Sequence, residues 1–386
     1  MAGINMNGPI SVRMAQSVMN RYEKAQMLWH YEHGLVLQSI FHLGLKTGNE
    51  EFCSYVKTMY DEKITPSGDI LSYKENEYNL DQINPGKVLF LLYSKYGEEK
   101  YKIAIEKLRE QLCKHPRTKS GGYWHKLIYP WQMWLDGLYM QAPFYTEYAF
   151  KYSTGAEFAN SLKDIGHQFS IIESKARDEK TGLLYHAWDE SRQQKWANPD
   201  TGCSPHFWGR ALGWYCMAIV DVLEIIQPSK ALCEEVFEAL CGITQRLIDP
   251  LINFQDAQSG LWYQVLDKGQ EAGNYTESSA SSMYVYFMTK MLRLGLIEEN
   301  KINIVKKSAY TGYQGLLNLK LQEELSSDGT QSQLHLNDIC FVAGLGGNPY
   351  RDGSYEYYIG EPKGADDFKG VGPFILASME QEALNS

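Results

Sequence analysis

Apolar residues recur every three to four positions along nearly the whole chain, which is the spacing of a helix face. Alternating patterns typical of strands are few. The polar positions between them divide the helices into two kinds. One kind carries Lys, Glu and Arg along one face and is predicted to lie outside, at about 10–26, 49–62, 98–114, 155–176, 229–248 and 298–323. The other is almost uncharged and is predicted to be buried on all sides, at about 29–45, 84–96, 134–152, 208–226, 276–293 and 370–383.

The two kinds of helix alternate, so the chain contains six repeats of an outer helix followed by an inner helix. The first three inner helices carry a glycine near their start, at Gly34, Gly86 and Gly137. Such small residues allow helix starts to crowd around a central cavity. The sequence therefore predicts an all-α (α/α)6 barrel of twelve helices. Because no Pro- or Ser-rich linker divides the chain, we expect one domain over residues 1–386.

The connections that enter the predicted inner helices are long, and those that leave them are short. Long loops gathered on one rim usually carry the function, and the clusters of aromatic and polar residues fall on this rim. The segment 181–190, which contains His186, is predicted to form a short β-hairpin there. The turn-rich segment 344–354 is assigned no chemistry.

Composition narrows the class of protein. The chain has 386 residues, 44% of them apolar, and a net charge of −10, which argues against nucleic acid or an anionic membrane as a partner. Seven dispersed cysteines without a C-x-x-C pair are typical of reduced thiols in the cytoplasm. The N-terminal residues 1–9 lack the pattern of a signal peptide, and no apolar run has the length of a membrane span.

The chain also lacks several motifs of catalysis and cofactor binding. It has no phosphate-binding loop, dinucleotide fingerprint, nucleophile elbow or metal-ligand constellation. We therefore expect an acid/base reaction that needs no cofactor and no metal.

The acid that stands out is Asp136. Tryptophan and tyrosine rings crowd the segment 123–139, and Asp136 stands at the predicted mouth of the third inner helix. Flat rings cover the C–H faces of a sugar, and an acid sheltered by them stays protonated because water is kept from its charged form. The alternative is a helix-start carboxylate that complements the helix dipole.

A second acid, Asp81, precedes the second inner helix in a similar way. Adjacent inner helices would place Asp81 and Asp136 on the same rim, and a pair of carboxyl groups is the usual equipment for proton transfer at a glycosidic centre. A capping role ahead of the Asn-Pro-Gly turn is the alternative for Asp81.

A third candidate, Arg210, stands between Trp208 and Trp214 in an almost uncharged helix start. A buried Arg without a local acid is rare, so we predict that it pairs with a bound carboxylate or with one of the aspartates. His125 and His186 could equally be hydrogen-bonded structural residues. Glu277 is interpreted as the capping acid of the fifth inner helix.

Four segments together resemble a known family. They are Trp124-His-Lys-Leu-Ile-Tyr-Pro-Trp-Gln-Met-Trp-Leu-Asp136-Gly-Leu-Tyr-Met, Leu80-Asp81-Gln-Ile-Asn-Pro-Gly-Lys, Tyr185-His186-Ala-Trp-Asp and Phe207-Trp-Gly-Arg210-Ala-Leu-Gly-Trp. They are similar to the unsaturated rhamnogalacturonyl hydrolases, glycoside hydrolase family 105. The resemblance implies an (α/α)6 barrel, a bacterial and mostly cytoplasmic setting, and removal of the Δ4,5-unsaturated galacturonyl residue from the non-reducing end of lyase-generated pectin fragments.

The resemblance also implies roles for residues of this chain. Asp136 would be the acid/base residue and Asp81 its essential partner at the sugar. The residues that would line the pocket are His125, Lys126, Trp134, His186, Trp208, Arg210 and Trp214. The reaction would be hydration of a vinyl ether, with a small unsaturated uronyl oligosaccharide as substrate.

Three other functions remain open at this point. The same barrel could serve an unsaturated glucuronyl hydrolase acting on glycosaminoglycan fragments, or a conventional inverting glycosidase. A non-catalytic carbohydrate-binding protein would explain the rings but not the conjunction of Asp81, Asp136 and Arg210.

Overall fold

The computed structural model describes residues 8–325 and 332–384, and within them it is mostly helical. The predicted outer helices are present as α1 Ile10–Arg21, α3 Glu50–Asp61, α5 Glu99–Lys114, α7 Gly155–Ala176, α9 Glu234–Asn253 and α11 Ile302–Leu319. The predicted inner helices are present as α2 Tyr31–Thr47, α4 Gly86–Tyr96, α6 Leu135–Tyr152, α8 Gly209–Ile226, α10 Ser278–Arg293 and α13 Phe368–Leu384. The interpretation of residues 1–9 as lacking a signal peptide falls mostly outside the described residues.

The inner helices form a closed ring. Each packs on its two neighbours in the order α2, α4, α6, α8, α10 and α13, and α13 returns to α2. Each inner helix also packs on an outer helix, and α1 closes the outer layer against α13. This contact joins the two ends of the chain, where the Ser11 backbone N–H donates to Glu382 at 3.0 Å. The architecture is the predicted (α/α)6 barrel.

Close packing of the inner helices depends on glycine at one contact in particular. A Cβ atom at Gly34 would lie 2.7 Å from the Cα of Pro85, which is closer than real side chains come. Gly34 in α2 therefore allows the start of α4 to approach. The expectation that small residues let the inner helices crowd together is confirmed here.

The inner helices begin at one end of the barrel, called here the rim, and the long connections gather there. Three two-stranded antiparallel sheets lie in these connections, formed by β1 Gln132–Trp134 with β2 Ala187–Asp189, β3 Leu321–Leu325 with β4 Ser332–Leu336, and β5 Ile339–Cys340 with β6 Lys363–Gly364. A short helix, α12 Tyr355–Gly360, also lies in the last connection.

The prediction of a β-hairpin at 181–190 is wrong in its pairing. The segment does contribute a strand, β2, directly after His186, but its partner is β1, with Trp134 opposite Ala187. The strands come from two different connections, so the sheet ties the loop before α6 to the loop before α8. The backbone N–H of Leu135 also donates to the carbonyl of His186 at 3.0 Å. This pairing brings the two loops that carry the candidate residues side by side.

Within the described residues, no helix combines the length and the apolar character needed to cross a membrane.

Candidate active site

Asp136 lies in the first turn of α6, directly after β1. Its side chain is 13% exposed, and its Oδ2 lies 3.3 Å from Nε2 of His186. The two atoms touch without the alignment of a hydrogen bond, and neither has another hydrogen-bond partner among the described residues. Asp136 therefore presents a sheltered carboxyl oxygen that the protein itself does not bind.

The residue after Asp136 makes room for a second imidazole, that of His125. A Cβ atom at Gly137 would lie 3.1 Å from Nδ1 of His125, so glycine makes room for the imidazole. On the other side, Nδ1 of His186 lies 2.8 Å from the hydroxyl of Tyr358, in α12. The fully buried His186 is thus held between Tyr358 and Asp136.

Asp81 lies in a short 3-10 turn, Leu80–Gln82, ahead of α4. Its carboxylate is buried and accepts from Nζ of Lys126 at 2.6 Å, while Nε2 of His125 lies 3.5 Å away. Burial raises the pKa of Asp81, but the charge of Lys126 is the strongest of several opposing causes, and the pKa ends below its usual range. In return, Asp81 outweighs burial and raises the pKa of Lys126. Asp81 is therefore an ionised carboxylate in an ion pair.

His125 lies beside Asp81 and is close enough to Asp136 to be influenced by its charge. Burial lowers its pKa to about 4 against the opposing effect of Asp81, so the ring is neutral near pH 7. The charges of both Asp81 and Asp136 act on this ring. His125 stands beside Asp81 as a neutral hydrogen-bonding group, and Lys126 supplies the positive charge.

A wall of rings covers one side of the two acids. Trp134 stacks on His125 with ring centroids 4.7 Å apart and on Tyr129 at 4.9 Å. His186 contacts the edge of Trp134 at 5.2 Å and lies 4.8 Å from Trp208. A flat apolar wall beside a carboxyl group is suited to the C–H face of a sugar ring.

Arg210 lies in the first turn of α8, 1% exposed, with its guanidinium 4.9 Å from the ring centroid of Trp208. Its Nη atoms donate to the backbone carbonyls of Cys340 and Phe341. The expected pairing with Asp81 or Asp136 is therefore replaced by contacts with the strand β5 and the residue that follows it. Glu277 holds β5 near Arg210. It caps α10 and also accepts a hydrogen bond from the backbone N–H of Cys340 at 3.0 Å.

The positive charge of Arg210 is stabilised by its neighbours. Burial opposes that charge, but Cys340 and Glu277 outweigh burial and raise the pKa of the guanidinium above its usual value. Its Nε has no partner among the described residues, so a donor remains for a ligand.

Trp214 lies one turn deeper than Arg210 and is stacked on Tyr139 at 4.9 Å. Tyr139 in turn lies one turn below Asp136. The two rings form a floor beneath the rim residues, and Trp214 contacts the edge of Tyr31 at 6.1 Å.

The structure thus brings all nine predicted site residues into one connected group. It also adds residues that the sequence interpretation missed. Tyr31, at the start of α2, lies near enough to Asp81, Asp136 and Arg210 to respond to the charge of each. Tyr358 positions His186 from the segment 352–358, which is part of the resemblance to the family but to which no site role was given.

The segment 344–354 also contributes, although it was assigned no chemistry. Arg351 donates to the hydroxyl of Tyr129 at 2.9 Å and to the carbonyl of Gly346 at 2.8 Å. Leu345 packs in a small apolar cluster with Trp134 and Trp196. This loop therefore lies against the ring wall.

In residues 8–325 and 332–384 no group of three or more His, Cys, Asp or Glu side chains is arranged to hold a metal ion. The chemistry that the described residues offer is that of carboxyl groups, imidazoles and fixed cations.

Comparison with known proteins identifies the family of the chain. The family described as Glycosyl Hydrolase Family 88 matches residues 10–385. A solved glycoside hydrolase from family 105 of C. acetobutylicum ATCC 824 is 44% identical, with a TM-score of 0.89, and the match covers 97% of this chain and 100% of that one.

Two curated proteins are also similar. Protein Atu3128 of Agrobacterium fabrum is 41% identical over 247 residues, which cover 64% of this chain and 99% of that protein. The unsaturated rhamnogalacturonyl hydrolase YesR of Bacillus subtilis is 27% identical over 271 residues, which cover 69% of this chain and 71% of that protein. The resemblance found in the sequence is confirmed, and the chain belongs to the glycoside hydrolases of families 88 and 105.

Proposed function

We propose that this enzyme removes the Δ4,5-unsaturated galacturonyl residue from the non-reducing end of lyase-generated rhamnogalacturonan oligosaccharides. The observation that carries the proposal is the state of Asp136, whose Oδ2 is buried and has no hydrogen-bond partner among the described residues. A buried carboxyl oxygen without a partner costs free energy unless a ligand supplies one. Asp136 is therefore the proton donor of the proposal.

The second acid has a different role because its surroundings differ. Asp81 is ionised and bound to Lys126, so it does not donate a proton. It is placed to accept a hydrogen bond from a sugar hydroxyl or from the attacking water. Two carboxyl groups in different surroundings are a common basis for dividing acid and base roles.

The proposed reaction is hydration of a vinyl ether. Asp136 gives its proton to C4 of the unsaturated ring, which leaves positive charge shared between C5 and the ring oxygen. A water adds its oxygen to C5, and the proton that it loses returns to the carboxylate of Asp136. The resulting hemiketal opens at the bond between C5 and the ring oxygen. The ring-opened residue then releases the remaining saccharide, which leaves with its glycosidic oxygen.

The substrate carboxylate needs a cationic partner close to the acids. Lys126 Nζ and the unused Nε of Arg210 are the candidates, with His125 as a neutral donor. Charge-assisted hydrogen bonds of this kind are about twice as strong as those between neutral groups. Trp134 and Trp208 would cover the ring of the sugar.

The choice of galacturonyl over glucuronyl substrates rests on the resemblance of the sequence segments and on the named activity of YesR. The expected cytoplasmic location is part of the same proposal, and the seven cysteines, all free thiols, agree with it. We likewise propose that the chain acts as one catalytic domain.

The test is an absorbance assay on a panel of unsaturated disaccharides from pectin and from glycosaminoglycans. Hydration destroys the conjugated double bond, so ultraviolet absorbance should fall with the pectin-derived rhamnogalacturonan disaccharide. A faster fall with the glycosaminoglycan disaccharides would show that the substrate is an unsaturated glucuronyl saccharide and not the proposed galacturonyl one. Cleavage of saturated disaccharides would instead indicate a conventional glycosidase, and binding without turnover of any disaccharide would indicate a carbohydrate-binding protein.

The acid itself is tested by Asp136→Asn, which should lower kcat at least ~100-fold, the lower range for a positioned proton donor. Its melting temperature should stay near that of the wild type because the amide is isosteric. Asp178→Asn is a control on the same rim, since the carboxylate of Asp178 binds the local turn at Thr181 and the side chain of Tyr185 and neither of the two acids. Near wild-type kcat in Asp136→Asn would remove Asp136 from the mechanism.

A further inference from the structure

A second cavity opens at the end of the barrel opposite the rim. This lower cavity has a volume of about 540 Å³ and is bounded by residues from all six inner helices. The volume falls in the usual range of small-molecule sites. Part of its wall is apolar, formed by Leu45, Phe90, Leu91, Pro143, Leu376 and Met379.

The acids of the lower cavity are already paired. Asp221 accepts from Nζ of Lys290 at 2.8 Å, and Glu224 binds both Lys290 and Arg293 at 2.6 Å. Glu380 binds Arg293 at 2.6 Å. The three carboxylates outnumber the two cations of this network by one, but Lys46 and Lys87 also line the cavity, so the acids leave no requirement for a bound cation.

Lys87 is different from its neighbours. Its side chain lines the same cavity, is 6% exposed, and has no hydrogen-bond partner for Nζ among the described residues. The ammonium lies 3.5 Å from the ring centroid of Tyr139. Burial lowers the pKa of Lys87 to about 7, against the opposing charge of Asp221. A buried ammonium without an anion is costly, and the cavity provides room for that anion.

A second polar atom in the cavity also lacks a partner. The side-chain Oε1 of Gln38 is buried and unpaired among the described residues. An amide oxygen accepts hydrogen bonds, so it is suited to a hydroxyl group and not to a carboxylate. The two unpaired atoms together define a ligand that carries both a negative charge and a hydroxyl group.

We propose that the lower cavity is a second binding site, for a hydroxylated monocarboxylate of about monosaccharide size. The carboxylate binds Nζ of Lys87, a hydroxyl donates to Oε1 of Gln38, and the carbon skeleton packs against Phe90 and Leu91. The stacked rings of Tyr139 and Trp214 lie between this site and Asp136. The site is therefore distinct from the one that holds the unsaturated ring.

The experiment uses calorimetric titration of the full-length enzyme with D-galacturonate, and with D-galactose as the uncharged analogue. D-Galacturonate should bind the wild type at least ~10-fold more tightly than D-galactose. A Trp134→Ala variant, altered at the rim, should retain this binding. Absence of D-galacturonate binding in the wild type, or its loss in Trp134→Ala, would overturn the second site.

The matched variants change the lower cavity alone. Lys87→Met keeps the length of the side chain without the charge and should weaken D-galacturonate at least ~10-fold, with an unchanged or higher melting temperature. Lys46→Met is the control, because Lys46 lines the same cavity but donates to the carbonyl of Met379 at 2.6 Å. Unaltered binding in Lys87→Met would overturn the proposal.

A third variant and a crystal structure test the proposal independently of Lys87→Met, in case that variant does not fold. Gln38→Leu should weaken D-galacturonate several-fold and leave D-galactose binding equally weak. Wild-type crystals soaked in D-galacturonate should show the sugar acid at Lys87 Nζ. Density at the rim alone would assign all binding to the active site and overturn the second site.

Discussion

At the scale of single residues, similar side chains are given different properties by their neighbours. Asp81 and Asp136 both precede or open an inner helix. Among the described residues, Asp81 is bound by Lys126 at 2.6 Å, whereas Oδ2 of Asp136 meets an unaligned imidazole and has no hydrogen-bond partner. The two lysines Lys126 and Lys87 differ in the same way. Burial lowers the pKa of both, but a nearby acid outweighs burial at Lys126 and does not at Lys87. Local sequence contains neither distinction, because each depends on contacts between separate helices.

Tyr358→Phe should slow the enzyme without unfolding it. The change removes the hydroxyl that lies 2.8 Å from Nδ1 of His186, and a hydrogen bond of this kind contributes about 1 kcal/mol. We expect kcat/KM to fall by ~5- to 10-fold in the absorbance assay, because His186 loses the contact that orients it toward Asp136. Tyr357→Phe is the matched control, since its hydroxyl accepts from the backbone of Gly344 instead. Equal activities of the two variants would contradict this role of Tyr358.

At the scale of elements, the helices were predictable and the sheet pairing was not. A helix such as α6 is defined by contacts within a few residues, so its apolar spacing is visible in the sequence. The strand β2 is defined by its partner β1, more than fifty positions away in the chain. Site residues that are close together in the sequence were predicted, and those that reach the site from distant segments were missed. The ring cluster around Trp134 is local, whereas Tyr31 and Tyr358 join the site from distant segments.

The start of α6 should not tolerate a methyl group. In Gly137→Ala the new Cβ would lie 3.1 Å from Nδ1 of His125, so the ring beside Asp81 must shift. We expect kcat/KM to fall several-fold, although alanine favours the helix by ~0.5–1 kcal/mol. The control is Gly242→Ala in α9, where the nearest atom is Arg246 Nη1 at 3.7 Å. That variant should be slightly more stable by thermal melting and fully active. Full activity in Gly137→Ala would show that the close approach is not needed.

At the scale of the whole molecule, the closed ring divides the barrel into two ends with different chemistry. The rim holds the acids, the rings and the long loops. The opposite end holds a network in which Lys290 joins α10 to α8, and Arg293 joins α10 to both α8 and α13. The closure of the ring was predictable from the repeats. The buried charges were not, because the inner helices have so few charges that their mutual pairing leaves no pattern along the chain.

The ion pairs that Lys290 and Arg293 form at the lower end should make the barrel less stable in acid. Burial raises the pKa of Glu224, but Lys290 and Arg293 outweigh burial and lower it from its ordinary value of 4.5 to about 2. A carboxyl whose folded pKa is depressed adds stability that is complete above its unfolded pKa and is lost as the pH falls through the folded one. The free energy of unfolding from urea titrations should therefore decrease between about pH 5 and pH 2. Glu224→Gln should be less stable than the wild type near pH 7 and should show a shallower decrease.

The control for this profile is Glu147→Gln. Glu147 lines the same cavity, but its ion pair with Lys151 joins two residues of one helix, and such pairs contribute only about 0.3–0.5 kcal/mol. Its profile should match that of the wild type. If Glu224→Gln lost stability in acid as steeply as the wild type, the acid sensitivity would have to come from carboxylates elsewhere. The ion pairs of Glu224 with Lys290 and Arg293 would then add little to the stability of the ring of inner helices.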